Sequence, residues 1–172
     1  TFRQVEIEML DLLPDLFDHY PSKLTLLPLA FRAYGGKKLF WGEVVTVKCF
    51  EDNSKVKEVL AQPGQGKVLV VDGGGSSRRA LLGELIAQSA MDNGWQGVII
   101  NGYVRDVARL NTFNLGVYAL GAMPIKTDKK DQGQVNVPIE FGSVTVKPGM
   151  MVYVDENGIA ISEECLNFAF LS

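Results

Sequence analysis

The chain reads as a mixed α/β fold, with a βαβ core of parallel strands and antiparallel strands at its C-terminal end. Three observations point to the α/β class. Residues 67–72 and 97–101 are apolar on both faces, as in strands of a covered sheet. The strongest helical pattern, residues 83–93, lies between them and supplies the crossover that parallel strands require. The last third changes to short Val- and Ile-rich runs separated by Lys147-Pro148-Gly149 and Asp155-Glu156-Asn157-Gly158, which read as turns.

The elements follow in order. Met9, Leu10, Leu13, Leu16 and Phe17 recur at helical spacing with Asp11, Asp15 and Asp18 between them. Pro14 starts a second short helix or kinks the first. Residues 24–29 are apolar but contain Pro28, which makes them loop or sheet edge. Gly35-Gly36 is a turn, and residues 40–50, rich in Val and Thr, form a strand. Residues 53–60 form a short helix capped by Asp52 or Asn53. Pro63-Gly64-Gln65-Gly66 breaks the chain before the strand at 67–72, and Asp72-Gly73-Gly74-Gly75 is a sharp loop. In the helix at 83–93, Leu85, Ile86, Ser89 and Ala90 make the inner face, and Asn93-Gly94 ends it. The strand at 97–101 is followed by Gly102 and Arg105-Asp106, then a short helix at 107–111 and a strand at 116–125. Residues 135–141, 143–146, 151–154 and 159–162 are the C-terminal strands.

With 172 residues the chain is expected to form one domain with a large core, residues 1–8 being an extension. Its 47% hydrophobic and 22% charged content is that of a globular protein. A net charge of -3 gives no electrostatic basis for binding nucleic acid. The basic residues from Lys126 to Lys130 are interrupted by Asp128 and followed by Asp131, as in a solvated loop. Cys49 and Cys165 form no CxxC pair; Cys49 reads as a buried thiol, and the usage fits a reducing cytoplasm. No apolar run approaches the roughly 18 residues of a membrane helix. Glu6, Glu8 and Asp11 stand where a signal peptide would be basic, so neither a membrane nor a secretion signal is expected.

Two places invite chemistry. The loop Gly73-Gly74-Gly75-Ser76-Ser77-Arg78 lacks the third glycine of GxGxxG and the Gly-Lys-Ser/Thr of a P-loop. It reads as a structural loop that shapes a nearby site. The second place is the stretch from Gly83 to Asp106. The first amides of a helix beginning at Gly83, Glu84, Leu85 and Ile86 lack intrahelical partners and favour an anion. Arg105-Asp106 follows a strand, where ligand crevices of open α/β sheets form. Arg105 can hold a keto oxygen or carboxylate in a two-pronged contact. Asp106 can bind Mg²⁺, a hard ion that accepts one carboxylate and keeps several waters. The plain alternatives are that Asp106 caps the next helix and Arg105 pairs with a surface acid. His19, the single histidine, reads as a surface residue; with two separated cysteines a zinc site has no support. Ser76 and Ser77 have no histidine partner for a hydrolase triad.

Several ordered blocks resemble one family. They are residues 44–53, VLVVDGGG at 68–75, Arg78-Arg79-Ala80-Leu81, Asn93-Gly94-Trp95 and Gly102-Tyr103-Val104-Arg105-Asp106. Together they resemble the regulator of ribonuclease activity A-like family, which includes the class II 4-hydroxy-4-methyl-2-oxoglutarate aldolases. The resemblance spans roughly residues 10–166 and implies a swivelling β/β/α fold in a ring-shaped homotrimer, with sites near subunit boundaries; some members pair trimers into hexamers. Aldolase members carry an acid, twenty intervening residues and Arg-Asp, a spacing matched by Glu84 and Arg105-Asp106. By the same resemblance, the amides of Gly83, Glu84, Leu85 and Ile86 together with Arg105 hold a pyruvyl group. Asp106 holds a divalent cation, Mg²⁺ or Mn²⁺. Arg105 and Asp106 would then cleave 4-hydroxy-4-methyl-2-oxoglutarate to pyruvate and decarboxylate oxaloacetate, both small 2-keto acids. The pattern also expects an acid three residues past the Asp, where this chain has Arg109. The competing implication is a non-catalytic regulator that docks on the RNA-degradation endonuclease. A menaquinone methyltransferase role, once attached to the family, lacks the glycine-rich nucleotide fingerprint it would need.

Overall fold

The computed structural model of the protein describes residues 11–171. The expected extension and the start of the helical run at Met9 and Leu10 lie outside the described residues. Helix α1 (Leu13–His19) carries Pro14 in its first turn, where the missing N–H has no intrahelical partner to lose. The residue ahead of it, Leu12, has no capping side chain. The buried Asp155 carboxylate takes that role, accepting the Leu12 and Leu13 amides at 2.8 Å each.

The chain then forms β1 (Thr25–Leu26), β2 (Arg32–Ala33), β3 (Phe40–Lys48), α2 (Ser54–Leu60) and β4 (Lys67–Asp72). Next come β5 (Ala80–Leu82), α3 (Glu84–Asp92), β6 (Gly97–Val104), α4 (Val107–Leu110) and β7 (Gly116–Ala122). The C-terminal part adds β8 (Gln134–Val135), β9 (Ile139–Phe141), β10 (Val144–Val146), β11 (Met151–Asp155) and β12 (Gly158–Ser162). A short 3₁₀ turn, Ala169–Leu171, follows.

The main sheet runs β1-β12-β11-β3-β4-β6-β7-β2. Its centre, β3-β4-β6-β7, is parallel, because the crossovers through α2 and α3 return the chain to the same edge each time. The flanking pairs, β11 with β3 and with β12 and β2 with β7, are antiparallel. Strands β9 and β10 form a separate two-stranded sheet.

The period of two in each central strand separates two cores. Leu69 and Val71 of β4 and Val98 and Ile100 of β6 face α2 and α3, meeting Val56, Val59, Leu60, Ile86, Ala87 and Ala90. Val68 and Val70 of β4 and Ile99 of β6 face the opposite way, meeting Ile139, Phe141 and Val146 of the small sheet. Helices therefore cover one face and a second sheet the other, the expected β/β/α layering. Burying each of these side chains contributes about 1.5–3 kcal/mol.

Several expectations are corrected. The β6 strand continues to Val104, so Gly102 lies within it and Arg105 follows its end directly. Strand β7 stops at Ala122 rather than reaching 125. The short strands β2 and β5 were not anticipated; two or three residues are too few to show a period. Leu85 does not join the inner face of α3 but is 84% exposed. The inner face is instead Ile86, Ala87 and Ala90.

Candidate functional site

The carboxyl ends of β4 and β6 lie at the same sheet edge, and the chain turns there twice. At the first turn, Asp72 Oδ1 accepts the Gly74 amide at 3.0 Å and the Asn101 side-chain amide at 3.4 Å. The Gly73 and Gly75 amides donate to the Asn101 carbonyl. All three glycine N–H groups are thus used inside the loop, which leaves none to cradle a phosphate. Gly74 and Gly75 adopt φ of 66° and 71°, a backbone that glycine enters without strain. The structural reading of this loop follows. Its two arginines point to the chain itself: Arg78 pairs with Glu51 at 3.0 Å and Arg79 donates to the Lys126 carbonyl at 3.1 Å.

At the second turn, Arg105 and Asp106 leave β6 toward the start of α3. The Arg105 amide donates to the Leu82 carbonyl at 2.9 Å, fixing the strand end beside Gly83. Asp106 occupies the N-cap position of α4, yet its side chain makes no bond to that helix. Its Oδ2 instead accepts the Glu84 amide at 2.8 Å, so it caps α3 across the cleft. To reach there Asp106 takes a left-handed backbone, φ 59° and ψ 39°, which Asp tolerates better than most residues. Arg105 makes no ion pair among the described residues, so the surface-acid alternative is not what the structure contains.

Gly83 explains how the two segments approach. A Cβ there would lie 2.8 Å from Asp106 Oδ2 and 3.2 Å from Arg105 Nε. In α3 the first intrahelical bond is Ala87 N–H to the Gly83 carbonyl. The Leu85 and Ile86 amides therefore keep their hydrogens for an external acceptor, while the Glu84 amide is already given to Asp106. Glu84's carboxylate lies 3.6 Å from Arg109 Nε, and both side chains are largely solvated.

A cleft of about 330 Å³ opens here, lined by Arg105, Asp106, Val107, Ala122, Met123 and Pro124. A larger groove of about 460 Å³ lies at the opposite sheet edge, lined by Lys37, Phe40, Trp41, Gln96 and Met151 among others. That groove has no carboxylate in its lining, so the smaller cleft is the better candidate for chemistry. Among the described residues no cluster of three or more His, Cys, Asp or Glu side chains could hold a metal. A cation at Asp106 would therefore have one protein carboxylate, with Oδ1 still available, and water for its other ligands. That donor set fits Mg²⁺ or Mn²⁺ and not structural zinc.

Other candidates fall away. His19 is exposed and stacks on Phe170, ring centroids 4.1 Å apart, far from the cleft in the fold's α1 corner. Burial, reinforced by the Asp52 and Asp72 charges, pushes the Cys49 thiol up to about 12, so it holds its proton and is no nucleophile. No described helix is long and apolar enough to cross a membrane. Residue spacing did not foretell the Asp106 bond to α3 or the Glu84–Arg109 pair. Both depend on how β5 and β6 align, which a single sequence does not display.

Comparison with known proteins gives the family by separate routes. The RraA-like (Aldolase/RraA) family profile matches residues 12–161. A Shewanella oneidensis protein provisionally named 4-hydroxy-4-methyl-2-oxoglutarate aldolase is 90% identical over 164 residues, covering 95% of this chain and all of its own. A Hahella chejuensis protein of the same provisional name is 54% identical, covering 90% of this chain and 94% of its own. Among solved structures, the RNA-processing inhibitor RraA from Thermus thermophilus superposes with a TM-score of 0.88 at 42% identity, covering 94% of this chain and 98% of that one. A Geobacillus kaustophilus structure described as S-adenosylmethionine: 2-dimethylmenaquinone methyltransferase superposes equally well, TM-score 0.88 at 43% identity, covering 91% and 97%. With the profile matched over most of its length and relatives this similar, the chain belongs to the RraA-like family.

Proposed function

We propose that the protein is a divalent-metal-dependent aldolase that cleaves 4-hydroxy-4-methyl-2-oxoglutarate to pyruvate and also decarboxylates oxaloacetate. One observation carries the reading: Arg105 and Asp106 line a single cleft, and Asp106 accepts the first amide of α3, whose next two amides have no intrahelical partner. In this reading the Leu85 and Ile86 amides, at the positive end of α3, bind the substrate's 1-carboxylate. Gly83 keeps the approach open, and Glu84 holds Asp106 in place through its amide. Arg105 aims its guanidinium at the 2-keto oxygen and neutralises the charge that develops there as the C–C bond breaks. Asp106 would hold the cation, which when bound supplies Lewis-acid polarisation of that oxygen. Asp106 is exposed, so water can reach the site both to take the substrate hydroxyl proton and to return a proton to the enolate carbon, giving pyruvate. Loss of CO₂ from oxaloacetate develops the same charge on the same oxygen, which is why one site serves both. The provisional names of the Shewanella and Hahella relatives support the aldol chemistry.

Pyruvate release from both substrates, measured with Mg²⁺ or Mn²⁺ and again with chelator, tests this. Metal-dependent release supports it; no release from either substrate removes the enzymatic reading.

The second reading is a regulator that binds the RNA-degradation endonuclease without chemistry. The superposition on the Thermus inhibitor favours it. Pull-down with the endonuclease tests it, and absence of binding at micromolar concentration rejects it. In both readings the protein acts as a homotrimer, whose formation would cover exposed apolar side chains such as Leu85 and Ile125.

A further inference from the structure

Resting on the keto-acid reading of the cleft, we propose that Arg109 is a positioning residue whose ion pair with Glu84 sets the cleft's charge in favour of keto acids with two carboxylates. Glu84 and Asp106 are joined by the 2.8 Å bond from the Glu84 amide, so their two negative charges sit at one helix end. An incoming anion is repelled by both, and a cation is attracted by both. Arg109, in the four-residue helix α4 that follows Asp106, brings Nε to 3.6 Å from Glu84 Oε1. That contact cancels one carboxylate. Two guanidiniums then balance two carboxylates, and the free amides of α3 tip the mouth toward anions. Folding gives little reason for the pair: its side chains are 60% and 45% exposed, and such surface pairs contribute little to stability.

The effect has opposite signs for the two kinds of ligand, which a merely structural role would not produce. In Arg109→Ala, metal-free protein should bind oxalate, a dianion, about two- to five-fold more weakly, with pyruvate affected less. Mn²⁺, followed by the spectroscopic signal of the free ion, should bind about two- to five-fold more tightly. Arg109→Lys should retain most of the wild-type behaviour. Adding Glu84→Gln to Arg109→Ala should restore oxalate binding, because the uncancelled charge is gone. Thermal melting should stay unchanged throughout. Oxalate and Mn²⁺ affinities that do not move, or that move the same way, overturn the proposal, as does a double variant no better than Arg109→Ala. These are binding measurements, independent of turnover. Wild-type protein that binds both ligands but releases no pyruvate removes the aldolase reading and leaves the charge coupling standing. Wild-type protein that binds neither removes both.

Discussion

A methyl group at position 83 would meet Asp106 Oδ2 at 2.8 Å, and the carboxylate would have to move. The Gly83 backbone, φ -137° and ψ -167°, suits alanine, so the strain falls on the cleft and not on the helix. Gly83→Ala is therefore expected to lower pyruvate release about ten-fold or more while shifting the melting temperature by a few degrees at most. Equal losses of activity and stability would argue against the steric account. Asp52 gives a stability prediction. Burial pushes its carboxyl up, but bonds from the Ser54 hydroxyl and the Ser54, Lys130 and Gln132 amides prevail and lower it from 3.8 to about 2. A depressed carboxylate stabilises the fold above its unfolded value and loses that contribution as pH falls toward 2. Resistance to urea should weaken between pH 4 and pH 2, and Asp52→Asn should flatten that slope and cost about 1–3 kcal/mol at neutral pH. An unchanged slope would assign the pH dependence to other acids. Of these residues, Arg105 and Asp106 were singled out by their types and their place after a strand, and were given roles by the family resemblance. Asp106's partner was not, since its left-handed backbone sends the side chain to α3 instead of to its own helix.

At the scale of elements, Phe40 at the start of β3 fits against the starts of β6 and β7. A Cβ on Gly97 would come 2.4 Å from the Phe40 ring, and one on Gly116 would come 2.1 Å from it. Because Gly97 and Gly116 are register partners, the pair leaves a gap that the ring fills. Gly116→Ala is expected to destabilise by about 1–3 kcal/mol in denaturant unfolding. Phe40→Leu should recover part of that loss, a non-additivity expected of residues in contact. Strict additivity would show that the ring and the glycine do not share this space. The long elements were legible from their period: β4 runs from Lys67 to Asp72 as read, and α3 ends at Asn93-Gly94, with Gly94 at φ 84°. Leu85 was misplaced because the buried face of α3 runs through Ile86, Ala87 and Ala90, which turns Leu85 to solvent. A short apolar window cannot show where the sheet stops.

At the scale of the molecule, the parallel centre delivers β4 and β6 to one edge, and the α3 crossover returns its own N-terminus to that edge. That the central sheet is covered on both faces was legible because β4 and β6 are apolar at consecutive positions; that helices take one face and a second sheet the other came from the family resemblance. The pairing of β9 with β10, and which face they cover, was not, since three-residue strands carry no such signal. A homotrimer is expected to give three times the chain mass in light scattering, and Leu85→Glu should reduce it if that leucine lies at the contact. An unchanged mass would place Leu85 outside the interface. The central claim is that the Arg105/Asp106 cleft performs metal-dependent chemistry. The most direct test is pyruvate release by Asp106→Asn with Mn²⁺ present, because asparagine can still accept the Glu84 amide but is a far poorer cation ligand. The account predicts wild-type release that chelator abolishes, and a loss of about 100-fold or more in the variant at unchanged melting temperature. Release that survives chelator, or a variant as active as wild type, would contradict it.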